Sequence, residues 1–315
     1  MTALLPPQPL LSASAQGFGI PEVVADLAEA RADWRARHHR SQEPGGRELP
    51  SLEQIEEILD GLRAVLFPMR LGPRDLRQEN ENAFVARTLE AVLRALSHQI
   101  WLELRWQNRF SALRPTEEAD EGRARALVRD FAAGLGGVRR LLDTDVSAAF
   151  DADPAAQSVD EVLLCYPGTQ ATIIHRLAHR LDGLGLPLIA RLVAEIGHSR
   201  TGIDIHPAAR IGERFFIDHG TGVVIGATAI IGDRVTLYQA VTLGARSFPT
   251  DPEGRALKGL PRHPVVEDDV TIYAGATILG RVTIGRGAII GGNTWITADV
   301  PPGSIVAQAA SCNPG

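Results

Sequence analysis

The stretch VEDDVTIYAGATILGRVTIGRGAIIGGNTWI, residues 266–296, places a branched apolar residue at every sixth position. The positions that keep this spacing are Val266, Ile272, Ile278, Ile284, Ile290 and Ile296. Two earlier runs have the same spacing: Ile205, Ile211 and Ile217, and then Ile225, Ile231, Leu237 and Leu243. A hexapeptide period is typical of a parallel β-helix, in which short strands wind into triangular coils. The last third of the chain is therefore predicted to form such a β-helix.

The repeat is interrupted at two places. The spacing slips by two residues between Ile217 and Ile225, where the chain reads DHGTG at residues 218–222. A second interruption of about twenty residues ends in RHP at residues 262–264. A packed solenoid tolerates irregularity mainly where function requires it. Since each interruption contains a histidine, we expect functional residues at both.

The region before the repeat is rich in helix formers. Ser51 and Gln54 predict a capping box, and residues 85–104 contain an apolar stripe with helical spacing. We therefore predict an α+β protein: a poorly ordered leader at 1–20, an α-helical domain at 21–200, the β-helix at 201–303, and a short tail at 304–315. The β-helix includes an excursion loop at 245–265.

Composition narrows the functional classes. The net charge of −6 argues against a nucleic-acid-binding surface. Only two cysteines are present, Cys165 and Cys312, far apart, which fits a reducing cytoplasm and neither a disulfide framework nor a metal knuckle. No apolar stretch reaches transmembrane length. The composition therefore predicts a cytoplasmic protein that binds neither membrane nor nucleic acid.

His219 and Asp204 are the first candidates for catalysis. An imidazole can remove a proton from a hydroxyl near neutral pH, and it works best when a carboxylate orients it. Asp204 lies fifteen residues before His219. One coil of three hexapeptides has about eighteen residues, so the two side chains could lie on adjacent coils near one corner. The alternative is that His219 is a structural corner residue.

Other candidates suit a charged substrate. Arg262 beside His263 is typical of a carboxylate-binding site, although a solvated loop pair is equally compatible with the residues. Asp218 would point away from His219 in a regular strand, but the slipped repeat weakens that inference. Asp153 reads as an ordinary turn residue unless the helical domain folds over the first coils.

Four segments resemble the serine O-acetyltransferase family: GIDIHPAARIG (202–212), DHGTG (218–222), VTLG (241–244) and RHP (262–264). The resemblance covers about residues 153–303. It implies a left-handed β-helix assembled as homotrimers or dimers of trimers. It also implies acetylation of L-serine by the co-substrate acetyl-CoA in cysteine biosynthesis, without a metal.

The resemblance implies a role for each site residue. His219 is the general base and Asp204 orients it. Asp218 and Asp153 bind the serine ammonium, Arg262 binds the carboxylate, and His263 lines the pocket. The positions that match the acetyl-CoA site are Gly244, Ala245 and Ala274. The sequence ends at Asn313-Pro314-Gly315 instead of the isoleucine-ended tail through which many relatives bind cysteine synthase, so we do not expect that partnership.

Three other functions are compatible with the repeat. The protein could be an acetyl-CoA-dependent O-acetyltransferase for homoserine, a sugar or an antibiotic, although Arg262 and Asp218 suit an amino acid better than a sugar. It could be a zinc hydratase of the γ-carbonic-anhydrase type, with His206, His219 and His263 as ligands. It could also be a non-catalytic assembly protein. Activity with different acceptors, bound zinc, and turnover after replacement of His219 distinguish these alternatives.

Overall fold

The computed structural model describes residues 18–38, 49–109, 115–247 and 249–308. The chain divides into two compact units, Met1–Arg47 and Glu48–Gly315. In the first unit the described residues form helix α1 (Ile20–Arg37), which has a proline in its first turn and no buried residue. Most of the predicted leader, and residues 309–315 of the predicted tail, lie outside the described residues.

The second unit begins with helices. Within the described residues they are α2 (Leu52–Leu66), α3 (Pro68–Leu71), α4 (Glu81–Asn108), α5 (Glu117–Ala133), α6 (Leu135–Ala152), α7 (Val159–Cys165), α8 (Pro167–Gly183) and α9 (Pro187–Thr201), with a 3₁₀ turn at Gln78–Asn80. Ser51 caps α2 by accepting from the amide of Gln54, as predicted. The Ser51 amide, however, donates to the side chain of Gln99 at 2.8 Å, so the reciprocal half of the capping box is absent.

One apolar core joins these helices. The stripe predicted on α4 contributes Leu96, Ile100 and Leu104, which are almost fully buried against residues of α2 such as Ile55 and Leu59. Most of the stability of helices in proteins comes from tertiary packing, so burial of these side chains stabilises both helices. Among the described helices, none has the length and apolar character needed to cross a membrane.

The β-helix follows α9. Its strands are β1 (Asp204–Ile205), β2 (Arg210–Ile211), β3 (Phe216–Ile217), β4 (Val224–Ile225), β5 (Ile230–Ile231), β6 (Thr236–Leu237), β7 (Thr242–Gly244), β8 (Val265–Val266), β9 (Thr271–Ile272), β10 (Thr277–Leu279), β11 (Thr283–Ile284), β12 (Ile289–Ile290), β13 (Trp295–Ile296) and β14 (Ile305–Val306). Between β7 and β8 the excursion contains an antiparallel bridge from Thr250 to Ala256.

The strands form three parallel sheets, in the orders β1-β4-β7-β10-β13, β2-β5-β8-β11 and β3-β6-β9-β12-β14. We call these the first, second and third sheets. Each full coil contributes one strand to each sheet, and the residues of the repeat fill the interior; Leu243, Ile272 and Ile290, for example, have no exposed surface. The prediction of a helical region followed by a left-handed parallel β-helix is confirmed.

The slip in the repeat corresponds to a longer corner between β3 and β4. Four residues, 238–241, connect β6 to β7, whereas six residues, 218–223, connect β3 to β4. The longer corner contains His219 at φ 56° and Gly220 at φ 87°. A left-handed backbone at a non-glycine residue is sparsely populated and costs on the order of 1–3 kcal/mol, so the surrounding structure must hold it. The extra residues leave the His219 side chain 73% exposed.

The helices pack against the first coil next to this corner. The amide of Arg214 donates to Thr144 Oγ1 at 3.0 Å, and the amide of Phe215 donates to Asp145 Oδ1 at 2.9 Å. Gly168 of α8 lies so close to β3 that a Cβ there would be 2.0 Å from the carbonyl oxygen of Ile217. These contacts hold α6 and α8 against β3 and the residues just before it.

Candidate active site

Asp153, Asp218 and His219 lie together at the corner between the third and first sheets. His219 Nδ1 is 3.9 Å from Asp218 Oδ1. Asp153 is close enough to His219 for the charge of the imidazole to lower the pKa of Asp153. The helical region therefore does fold over the first coil, which is the condition under which Asp153 was expected to join the site.

Asp153 is held by hydrogen bonds to both of its carboxylate oxygens. It is the C-cap residue that follows α6. The hydroxyl of Tyr166 donates to Oδ2, and the amide of Ala155 donates to Oδ1 at 2.8 Å. Both bonds favour the ionised carboxylate, so they lower the pKa of Asp153, the Tyr166 bond most. In return, the Asp153 carboxylate raises the pKa of Tyr166 to about 12. Asp153 is therefore an oriented anion at neutral pH.

Asp204 lies on the first sheet, next to the corner that contains His219. It is the first residue of β1 and pairs in register with Val224, so it lies on the first sheet, one coil from β4. Within the described residues, Asp218 provides the carboxylate nearest the His219 imidazole, and no hydrogen bond joins Asp204 to His219. The role of Asp204 in orienting His219 stays a prediction.

A second cluster surrounds Thr228. The amides of Arg262 and His263 donate to Thr228 Oγ1 at 2.9 and 3.1 Å. The amide of Thr228 donates to His263 Nδ1 at 3.0 Å. Because Nδ1 accepts, the proton of the neutral imidazole is assigned to Nε2. Burial, and then the charge of Arg262, lower the pKa of His263 to about 4. His263 is therefore a neutral hydrogen-bond donor at pH 7.

Arg262 has donor capacity that nothing in the described chain uses. Its Nε is buried and has no hydrogen-bond partner among the described residues. A buried donor without a partner is costly, and a guanidinium pairs well with a carboxylate through two parallel hydrogen bonds. Arg281 stabilises the same cluster by donating from Nη1 to the carbonyl oxygens of Thr228 and His263, at 2.7 and 3.0 Å. The cluster has the features of an anion site.

Within one chain, the two clusters lie at opposite ends of the strands of the first sheet. His219 precedes β4, whereas Gly226 follows it. A Cβ at Gly226 would be 2.0 Å from His263 Cδ2, so the His263 ring lies directly on the backbone at that second corner. The structure thus brings together Asp153, Asp218 and His219 at one corner, and Arg262 and His263 at the next.

The residues expected at the acetyl-CoA site are divided between the same two corners. Gly244 ends β7, which pairs with β4, and Ala245 follows it, so both lie at the corner of His263. The Gly244 carbonyl accepts from the amide of Gly280 at 3.0 Å. Ala274 precedes β10 at the corner of His219, and its carbonyl accepts from the amide of Asn293 at 2.9 Å.

Sequence reasoning did not identify Tyr166 and Thr228. Tyr166 precedes Pro167, which indicates only the start of a helix, and Thr228 lies 34 residues from the amide it binds at Arg262. Neither the separation of Tyr166 from Asp153 nor that of Thr228 from Arg262 follows the hexapeptide period. As to the zinc alternative, His219 lies at a different corner from His263. No group of three potential metal ligands occurs among the described residues.

Several known proteins resemble this chain in sequence. The family model "Bacterial transferase hexapeptide (six repeats)" matches residues 263–298. The chain is 52% identical over 298 residues to the plasmid serine acetyltransferase of Synechococcus elongatus, covering 93% of this chain and 92% of that protein. It is 49% identical over 162 residues to the serine acetyltransferase of Mycobacterium tuberculosis, covering 51% of this chain and 67% of that protein.

Solved structures show the same likeness. Serine acetyltransferase 1 of Entamoeba histolytica, in complex with L-cysteine, has a TM-score of 0.69 at 38% identity and covers 80% of this chain and 86% of that chain. The Neisseria gonorrhoeae serine acetyltransferase in complex with serine has a TM-score of 0.52 at 27% identity and covers 82% of this chain and 95% of that chain. On the identity and coverage of these relatives, the chain belongs to the serine acetyltransferase family.

Proposed function

We propose that this protein transfers the acetyl group of acetyl-CoA to the hydroxyl of L-serine, giving O-acetylserine for cysteine biosynthesis in the cytoplasm. The observation that carries the proposal is that the candidate site residues include both negatively charged and positively charged side chains. Two carboxylates, Asp153 and Asp218, lie beside an exposed imidazole, and a buried guanidinium nitrogen of Arg262 has no partner in the described chain. This set complements both charges of an amino acid and provides a base for its hydroxyl.

His219 performs the proton transfers. The serine hydroxyl is a weak nucleophile at neutral pH, so His219 removes its proton as the oxygen attacks the thioester carbonyl. The tetrahedral intermediate collapses with release of the coenzyme A thiol, and His219 returns the proton to the leaving sulfur. A base of this kind contributes roughly 10²–10⁴-fold to the rate. Asp204 orients the imidazole once the acceptor is bound.

The acceptor is recognised through its charged groups. Asp153 and Asp218 bind the ammonium, and Arg262 binds the carboxylate through its free guanidinium donors. His263 donates from Nε2 to the acceptor, because its Nδ1 is occupied by Thr228. A sugar has neither charge and would leave the buried Nε of Arg262 without a partner, which is unfavourable. The arrangement therefore favours an amino acid.

We further propose that the site is completed by a second subunit in a homotrimer, alone or paired as a dimer of trimers. His219 and Arg262 lie at opposite ends of the first sheet in one chain, so a site that uses both takes them from neighbouring subunits around a threefold axis. Gly244 and Ala245 of one subunit and Ala274 of the other would then bind acetyl-CoA from the two sides of the same groove.

The first experiment is an acceptor screen. Purified protein is incubated with acetyl-CoA and L-serine, L-homoserine or D-glucose, and release of the coenzyme A thiol is followed. The highest kcat/KM is expected for L-serine. A higher value for L-homoserine or for the sugar overturns the assignment of serine as the acceptor.

The second experiment tests the shared site by subunit mixing. At a serine concentration well below KM, the His219→Ala protein should be nearly inactive and the Arg262→Ala protein should keep about a tenth of the wild-type rate or less. Trimers formed by co-expressing the two contain some interfaces with both residues intact. Random assortment restores about a quarter of the wild-type rate. Mixed trimers that stay as inactive as the parent variants would show that each chain carries its own complete site.

A further inference from the structure

Tyr166 touches the acceptor site that we propose, although it is not one of the residues implied by the family motifs. Its hydroxyl donates to Asp153 Oδ2. That hydrogen bond, then burial and the charge of Asp153, raise the pKa of Tyr166 to about 12, and the charges of Glu161 and Asp218 add to the rise. Tyr166, between α7 and α8, therefore donates a hydrogen bond to Asp153, one of the acidic residues of the proposed site.

The backbone around Tyr166 is held on both sides. Its amide donates to the carbonyl of Val162 at 3.2 Å, at the end of α7. Its carbonyl accepts from the amide of Gln170 at 3.1 Å, in the first turn of α8. Two residues later, Gly168 lies against Ile217, the residue before Asp218. The backbone of Tyr166 is thus held near the residues that lead into Asp218.

The hydrogen bonds to Asp153 leave the carboxylate available to a ligand. Oδ1 accepts from Ala155 and Oδ2 accepts from Tyr166. Each carboxylate oxygen has two lone-pair sites, so one site on each oxygen stays open for a donor such as an ammonium group. Without the Tyr166 bond, the carboxylate would be held at one oxygen only and could rotate away from His219.

We propose that Tyr166 is a positioning residue that holds the Asp153 carboxylate in the orientation in which it receives the ammonium group of an amino-acid acceptor. The inference rests on the proposed function, because it assigns Asp153 to that ammonium. Tyr166 acts through Asp153 and does not contact the reacting atoms. Its hydroxyl should therefore affect acceptor binding much more than the rate of the chemical step.

Tyr166→Phe tests this proposal, because it should change the KM for L-serine but neither kcat nor the KM for acetyl-CoA. We expect the KM for L-serine to rise about tenfold, as for loss of a hydrogen bond to an ionised group. The kcat and the KM for acetyl-CoA should stay within about twofold of wild type, and the thermal midpoint should change little. Tyr273→Phe is the matched control, because no hydrogen bond of the Tyr273 hydroxyl occurs within the described residues; its constants should equal those of wild type.

A double variant shows whether Tyr166 acts through Asp153. Asp153→Asn alone should raise the KM for L-serine, and adding Tyr166→Phe should change it no further, since coupled residues are not additive. A serine KM unchanged in Tyr166→Phe, or a full tenfold effect that persists in the Asp153→Asn background, overturns the inference. If the wild-type protein prefers another amino acid, the same measurements are made with that acceptor. A wild type that acetylates only uncharged acceptors overturns the proposed function and this inference together.

Discussion

The Arg176 guanidinium and the Asp145 carboxylate form a buried two-pronged ion pair, with Nε–Oδ2 and Nη2–Oδ1 distances of 2.6 and 2.9 Å. Arg176 also donates to the carbonyls of Ile211 and Gly212, and Asp145 accepts from the amide of Phe215. Burial raises the pKa of Asp145, and Arg176 opposes that rise. The pair therefore joins α8, α6 and the first coil. By fixing α6 against that coil, it also fixes the position of Asp153, which follows α6.

Replacing Asp145 tests the contribution of this pair. Asp145→Asn should lower the free energy of unfolding by about 3–5 kcal/mol, because it leaves a buried guanidinium without its counter-charge. Urea denaturation gives the value. Glu90→Gln, which removes an exposed pair with Arg94 on α4, is the control and should change it by no more than about 0.5 kcal/mol. Equal effects of the two substitutions would contradict a stabilising role for the buried pair.

His219 is tested by its removal. His219→Ala should lower kcat by at least about 100-fold, since the general base is lost, while size-exclusion chromatography shows unchanged assembly. Asp204→Asn should lower kcat in the same direction but less, because it disturbs only the orientation of the ring. His198→Ala, an exposed histidine on α9, is the control. Turnover retained in His219→Ala would rule out the proposed mechanism.

Arg262 is tested by comparing two Michaelis constants. Arg262→Ala should raise the KM for L-serine by about tenfold or more, through loss of a charge-assisted contact to the carboxylate. The KM for acetyl-CoA should change little. Arg255→Ala, in the exposed part of the excursion, is the matched control. If the KM for acetyl-CoA rises and that for serine does not, Arg262 serves the coenzyme instead.

The contact between Gly226 and His263 predicts a steric effect. Gly226→Ala places a methyl group where the His263 ring now lies, so the imidazole must leave Thr228. We expect kcat/KM for L-serine to fall by about tenfold or more, because a displaced polar group loses its productive geometry. Gly122→Ala is the control, since a Cβ there meets no atom within 4 Å. Unchanged kinetics in Gly226→Ala would mean that the position of the His263 ring does not matter.

The pKa of His263 predicts acid sensitivity. Between its unfolded pKa of 6.5 and its folded pKa of about 4, the unfolded state binds more protons, so stability falls as the pH is lowered. From pH 6.5 to 5 this group alone lowers the free energy of unfolding by up to about 2 kcal/mol. Buried His175, whose pKa is also lowered by burial, adds to the same trend. Urea midpoints at pH 7, 6 and 5 measure it.

His263→Asn separates the two histidines. The variant should have a shallower loss of stability between pH 6.5 and 5, with the part due to His175 unchanged. An equally steep loss in the variant and in wild type would show that His263 does not resist protonation in the folded state.

The candidate site could be predicted only in part. The slipped repeat pointed to His219 because two extra residues in a regular coil are visible in the spacing. The spacing also suggested that Asp204 lies near His219, but it does not specify side-chain rotamers, and the described structure has Asp218 nearer the ring. Asp153 joined the site only through the packing of α6 and α8, and packing leaves no periodic mark in a sequence.

The sequence by itself determined the β-helix, because each coil stacks only on its neighbours and the inward position recurs every six residues. Leu237, Leu243 and Ile272 are buried for that reason. Only the tertiary structure decided that Tyr166 meets Asp153, that Thr228 meets His263, and that the two clusters occupy opposite corners. These contacts join side chains from separate elements, and their geometry depends on how whole helices and coils pack.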